Sequence, residues 1–110
     1  MSLNEMYMVA VSYPEMSDDY VKVFEVMATH YPDDAVTCNN MAAVALSKGD
    51  HETARLHLER AKHDPRCKNN MGVVLIKEGK HNEAENYFRE AALEGIPEAE
   101  FNLTNLGILQ

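Results

Sequence analysis

The residues that could do chemistry are few in this sequence of 110 residues, and their spacing argues against most of it. His51-Glu52 opens like the helix of a zinc protease, in which a second histidine four positions on completes the metal site and the glutamate serves as base. Arg55 occupies that position. The five histidines, His30, His51, His57, His63 and His81, fall near predicted helix ends or on polar faces, and His51 and His81 recur at the same offset as their surroundings. That recurrence favours packing over ligation, so no metal is expected. Cys38 and Cys67 stand 29 positions apart, neither a metal spacing nor a redox pair. Buried or half-buried thiols are expected, with a disulfide open to them only in an oxidising compartment. No Gly-rich phosphate loop follows a strand, and no Gly-x-Ser-x-Gly occurs. Asn102-Leu103-Thr104 is a glycosylation sequon in form, but it falls inside a predicted helix, where chance accounts for it. With no acid–base or nucleophile constellation, the sequence predicts neither an enzyme nor a cofactor site.

Charge and composition narrow the partners. Ten Lys and Arg face eighteen Asp and Glu, for a formal net charge of −8. Nucleic acid binding by counterion release needs clustered cations, and so does an anionic membrane surface; the sequence has no such cluster. No apolar run approaches the ~18 residues of a membrane span. Hydrophobic residues make up 45%, enough for a core, and the length fits one domain. Of the seven methionines, Met41 and Met71 recur at a core position, which favours core filling over an adaptable surface. Met1-Ser2-Leu3-Asn4-Glu5 lacks the basic and apolar regions of a signal peptide. Met1-Ser2-Leu3 also reads as an expression-vector remnant, in which case a natural leader has been lost.

The elements that must position any site read as all-α, because no stretch alternates with a strand's period of two. A buried helix runs from Leu3 to Ser12 and Tyr13-Pro14 breaks it. Ser17 caps a second helix that carries Asp18 and Asp19 in its first turn and runs to about His30, with Tyr20, Val23, Phe24 and Met27 as its apolar stripe. A third helix spans about Asp34 to Ser47. Gly49 makes the turn, and Asp50 caps a fourth helix from His51 to about His63, ended by Asp64-Pro65. The fifth spans about Cys67 to Glu78, Gly79 turns, and the sixth spans about Asn82 to Glu94 before Gly95. Pro97 suits the first turn of a last helix reaching about Leu109.

The middle of the chain repeats itself. Asn39-Asn40-Met41-Ala42 lies over Asn69-Asn70-Met71-Gly72, and Val44, Gly49, His51, Ala54, Leu58 and Ala61 lie over Val74, Gly79, His81, Ala84, Phe88 and Ala91, at a constant offset of 30 residues. A fixed period of this size signals stacked helical hairpins. Ala42, Gly72, Ala54 and Ala84 are small enough to let paired helices approach; Leu58 and Phe88 fill the remaining space. One hairpin cannot bury its own apolar face, so its neighbours must stack on it. These residues resemble tetratricopeptide (TPR) repeats, whose pattern is Asn-Leu-Gly, a Gly turn, an Ala, an aromatic, another Ala and then Asp-Pro. Asn70-Met71-Gly72, Gly79, Ala84, Phe88 and Ala91 match it well, and Asn40-Met41-Ala42, Gly49, Ala54, Leu58, Ala61 and Asp64-Pro65 nearly so. Phe24, Met27 and Tyr31-Pro32 look like the end of a degenerate first repeat, with Tyr20 where a small residue is usual. The missing Trp and the period of 30, against the family's usual 34, depart from the pattern and bear on curvature.

The resemblance implies a TPR-like solenoid in one domain over residues 1–110: a degenerate repeat at 3–33, repeats at 34–65 and 66–96, and a capping helix at 97–109. It also implies a concave groove lined by the first helix of each repeat. Carried over by matching residues, the candidates are Glu5, Val9, Ser12 and Tyr13; Asn39, Ala43, Leu46 and Ser47; and Arg66, Asn69, Val73, Ile76 and Lys77. Asn39 and Asn69 each donate and accept, so they suit the backbone of an extended peptide, whose apolar side chains would meet Val9, Ala43, Val73 and Ile76. Asn40 and Asn70 sit where the family keeps Asn for structural reasons. Ala43 and Val73 occupy places where the family's clamp for C-terminal carboxylates needs polar groups, so a receptor for chaperone tails is not expected.

A narrower resemblance rests on residues 6–14, on Val23-Phe24 to Tyr31-Pro32-Asp33-Asp34, and on Glu98-Ala99-Glu100-Phe101-Asn102-Leu103. These look like the C-terminal TPR tail of larger cell-envelope proteins of anaerobic Gram-negative bacteria, some associated with fimbria assembly or carrying an outer-membrane-protein-A-like domain. It implies an excised tail facing the periplasm; without it the reading is cytoplasmic. Two functions follow: a scaffold that binds a protein or peptide in the groove, or a structural tail that packs within a larger protein or forms a homodimer. The tail reading draws on Ala99, Leu103, Leu106 and Leu109, and expects Leu106, Ile108 and Leu109 to form a sticky edge if exposed.

Overall fold

The structure, a computed structural model, describes residues 1–109, and the side chains of residues 1–107. Among the described residues the chain forms seven helices and no strand: α1 (Leu3–Val11), α2 (Asp18–His30), α3 (Ala35–Ser47), α4 (His51–Glu59), α5 (Pro65–Lys77), α6 (His81–Leu93) and α7 (Pro97–Leu109). Each helix packs on the next, and α3 also packs on α5. The result is elongated, 45 × 26 × 23 Å, as expected of hairpins stacked along one axis.

Local chemistry sets most helix ends. Ser2, Ser17, Asp34 and Asp50 each accept a backbone N–H of the first turn of the helix that follows. Each such cap is typically worth about 1 kcal/mol. Gly49 and Gly79 take φ of +76° and +77° at the hairpin turns, a region that costs other residues roughly 1–2 kcal/mol. The α1–α2 connection has no glycine, and Met16 adopts φ +65° there. Asp64-Pro65 does not end α4, which stops at Glu59. Asp64 instead caps α5 and Pro65 takes its first position, where the missing N–H costs nothing because first-turn amides have no partner inside the helix.

The core forms two clusters. Met6, Ala10, Tyr20, Phe24 and Met27 join α1 to α2. The larger cluster runs from Ala42 and Ala45 through Leu58, Met71, Val74 and Leu75 to Phe88 and Leu106. Tyr20, unusual at its place in the pattern, packs against Phe24 with ring centroids 4.8 Å apart and the rings tilted by 54°, and donates through its hydroxyl to Asn40 Oδ1 at 3.2 Å. That bond carries the first hairpin onto the second. Farther along, Glu78 takes Arg55 of α4 as an ion pair and has Lys80 Nζ at 3.7 Å. His51 Nδ1, also 3.7 Å from Glu78, is too far for a hydrogen bond and is buried without a partner.

The last helix turns its apolar stripe inward. Ala99 and Leu106 are buried, and Leu103 packs on the larger cluster. The expected sticky edge therefore fails at Leu106, because α6 and α5 cover it. The side chains of Ile108 and Leu109 lie outside the described residues.

Candidate functional site

The odd-numbered helices α3, α5 and α7 come side by side through their asparagines. Asn70 Nδ2 donates to Asn39 Oδ1 at 2.6 Å, and Asn102 Nδ2 donates to Asn69 Oδ1 at 3.0 Å. Asn40 Nδ2 turns back to the carbonyl of Val36 at 2.8 Å. Asn40 and Asn70 thus hold helices, in line with a structural reading. Asn39 and Asn69 use their carbonyl oxygens for the next helix as well. Their Nδ2 groups donate to nothing among the described residues. Asn39 is half-buried and Asn69 is buried, at 8% exposure, though neither Nδ2 is fully enclosed. What these two residues offer a ligand is a donor each.

The other candidates separate into two clefts. Arg66, held by Asp64 at 3.1 Å, lines a cleft of about 330 Å³ with Leu3, Asn4, Tyr7, Met27, Asp34 and Val36. Val73, Ile76 and Lys77 line a second cleft, of about 240 Å³, with His81, Phe88, Asn102, Asn105 and Leu106. Asn69 lines the adjoining surface with Pro97, Glu98, Phe101 and Asn102. Ala43 and Leu46 are half-buried on α3, and Leu46 packs on the core. Val9 is half-buried on α1 and Tyr13 stands exposed beyond it. Tyr7, the one aromatic residue of α1, lines the first cleft, braced edge-on against Phe24 at 6.3 Å.

Sequence reasoning missed Tyr7 and the whole contribution of α7: Phe101, Asn102 and Asn105. The signal was present for α7. Asn102-Leu103 echoes Asn40-Met41 and Asn70-Met71, and Asn102 makes to Asn69 the bond that Asn70 makes to Asn39. By that bond α7 stands as the first helix of a further repeat would stand.

The lysines of α5 differ in their engagement. Lys68 is engaged by Glu94 at 3.0 Å and Glu90 at 3.8 Å, whereas Lys77 makes no ion pair among the described residues. Both cysteines are buried and free. Burial, with Asp64 and Cys38 nearby, pushes the Cys67 thiol up to about 12, and burial raises that of Cys38. A thiol so protonated is a poor nucleophile at neutral pH. No described helix is long and apolar enough to cross a membrane.

Residues 66–93, which make α5 and α6, match the tetratricopeptide repeat family. That match, on a chain built throughout of stacked helical hairpins, supports a TPR-type repeat protein. No curated protein matches the chain. TPR repeats generally mediate protein–protein interaction, and their family is a non-catalytic scaffold family.

Proposed function

We propose that this TPR-type chain is a scaffold whose concave face holds an extended segment of a partner protein. One observation carries the reading: Asn39 and Asn69 have unengaged amide donors on adjacent helices, and Val73 and Ile76, one and two turns beyond Asn69 on α5, line an apolar cleft. Extended peptides are held by main-chain hydrogen bonds and identified through side-chain pockets; a row of amides beside an apolar cleft supplies both. Arg66 and Tyr7 line a separate cleft toward the N-terminal end.

Asn39→Ala and Asn69→Ala are poor tests alone, since each also removes an acceptor that joins two helices. Val73→Arg is cleaner: Val73 is only half-buried, and an arginine there places a charge in the apolar cleft while leaving the asparagines paired. Peptides selected by display on the native chain are expected to bind Val73→Arg about tenfold or more weaker, and to bind Leu56→Ser, altered at an exposed site on α4, unchanged. Binding insensitive to Val73→Arg overturns the groove reading.

A second reading, the structural tail, draws support from the opposite end of the chain. Met8, Val11 and Val26 are exposed on α1 and α2, with Met1 just before them, whereas α7 exposes Glu98, Glu100 and Thr104 along with one large apolar residue, Phe101. An end helix of a solenoid needs a polar outer face. By that rule the α1 end suits burial against another helix, within a larger cell-envelope protein or in a homodimer. Light scattering tests the dimer: a strict monomer at high concentration removes it.

A further inference from the structure

The cleft between α5 and α7 differs from the rest of the surface in its charge. The chain carries eighteen Asp and Glu, yet no carboxylate lines this cleft. Val73, Ile76 and Leu106 give it an apolar wall, and Lys77 and His81, both exposed, stand at its rim. Lys77 has no carboxylate partner among the described residues. On the α7 side Asn105 makes no side-chain hydrogen bond among the described residues, and Asn102 spends only its amide nitrogen, on Asn69. At about 240 Å³ the space is below the roughly 300–1,000 Å³ of a drug-sized pocket, a volume suited to one or two side chains.

We propose that this cleft recognises an acidic-apolar motif within a partner's chain: one aliphatic side chain against Val73, Ile76 and Leu106, and an adjacent Asp or Glu on Lys77 and His81. Charge complementarity selects the occupant, because a neutral or basic segment would leave Lys77 unpaired or repelled. Its carboxylate comes from a side chain rather than a chain end. Lys77 and His81 sit at an open rim, and Asn102 also lines the adjoining surface of Asn69 and Phe101, so a segment passes along the groove instead of stopping in it. The apolar contact supplies affinity; the exposed cation supplies selectivity and a salt dependence.

This deepens the groove reading and rests on it, so the experiment separates the two. Short random peptides with blocked termini are selected on the native chain and on Lys77→Glu, a change at an exposed site that leaves the apolar wall intact. The native chain is expected to enrich an aliphatic residue beside Asp or Glu, and these peptides to bind Lys77→Glu about tenfold weaker, with native affinity falling as salt rises. Lys77→Glu is expected to enrich Lys or Arg beside the same aliphatic residue. Peptides that depend on Val73 but show no acidic preference overturn this proposal and leave the groove reading standing. Failure to select any Val73-dependent peptide overturns both. A dimer of the chain that Lys77→Glu dissociates puts a second copy in the cleft and also overturns the proposal.

Discussion

Phe88→Ala is expected to destabilise the fold by about 3–5 kcal/mol, against a total of roughly 5–15 kcal/mol for an ordinary domain. The ring is 2% exposed and belongs to the cluster that joins Ala42 and Leu58 to Leu75 and Leu106. It sits where α5, α6 and α7 meet, so its loss opens a cavity that three helices border. Little can collapse into it, because Gly72 faces it from α5 and its neighbours along α6 are Ala84 and Ala91, all buried and small. The denaturant midpoint, followed by far-ultraviolet circular dichroism, checks the size of the loss. A cost below about 1 kcal/mol would mean that the stacked hairpins do not share this core.

Gly72→Ala is expected to destabilise as well, and here the sign is the test. Helix propensity alone predicts a gain of about 0.8–1 kcal/mol for replacing a mid-helix glycine by alanine. Packing predicts the reverse. A Cβ on Gly72 would lie 2.7 Å from Phe88 Cδ1 and 2.8 Å from Cζ, inside contact distance of a buried aromatic ring. Overpacking of this kind typically costs 1–3 kcal/mol, so a net loss of about 1–2 kcal/mol is expected once the propensity gain is subtracted. Phe88→Leu in the same chain should recover part of it. The preceding repeat already contains that combination, Ala42 with Leu58, and both are fully buried. Thermal or chemical denaturation of the two single variants and the double variant gives the coupling directly. A stabilised Gly72→Ala would contradict the packing described for α5 on α6.

These two positions also show what was legible before the structure. The pairing of a small residue on one helix with a large one on the next follows from the repeat alone, because Gly72 and Phe88 hold the places of Ala42 and Leu58. Caps and glycine turns were legible for a different reason: Ser17, Asp34, Asp50, Gly49 and Gly79 act on their own few neighbours. What depends on contacts between distant helices was not legible. Asn39 and Asn69 look like free amides until Asn70 and Asn102 are seen to occupy their oxygens. Tyr7 cannot be assigned to a cleft until α1 is oriented on Phe24. Leu106 looks like an exposed edge until α7 is docked. Asp64-Pro65 reads as a stop in the sequence because proline ends helices as readily as it begins them, and only the bond that the Arg66 amide donates to Asp64 Oδ1, at 3.0 Å, shows which it does here.

The central claim is that the asparagine-lined face of α3, α5 and α7 is the working surface. Titrating a display-selected peptide into the isotopically labelled chain and following backbone amide and asparagine side-chain resonances tests it most directly. The account predicts shifts concentrated at the Asn39, Asn69 and Asn105 side chains and at Val73, Ile76 and Lys77, with Leu56 on α4 and Met8 on α1 unmoved. Shifts centred on the exposed apolar residues of α1 and α2, with the asparagine amides unchanged, would contradict it.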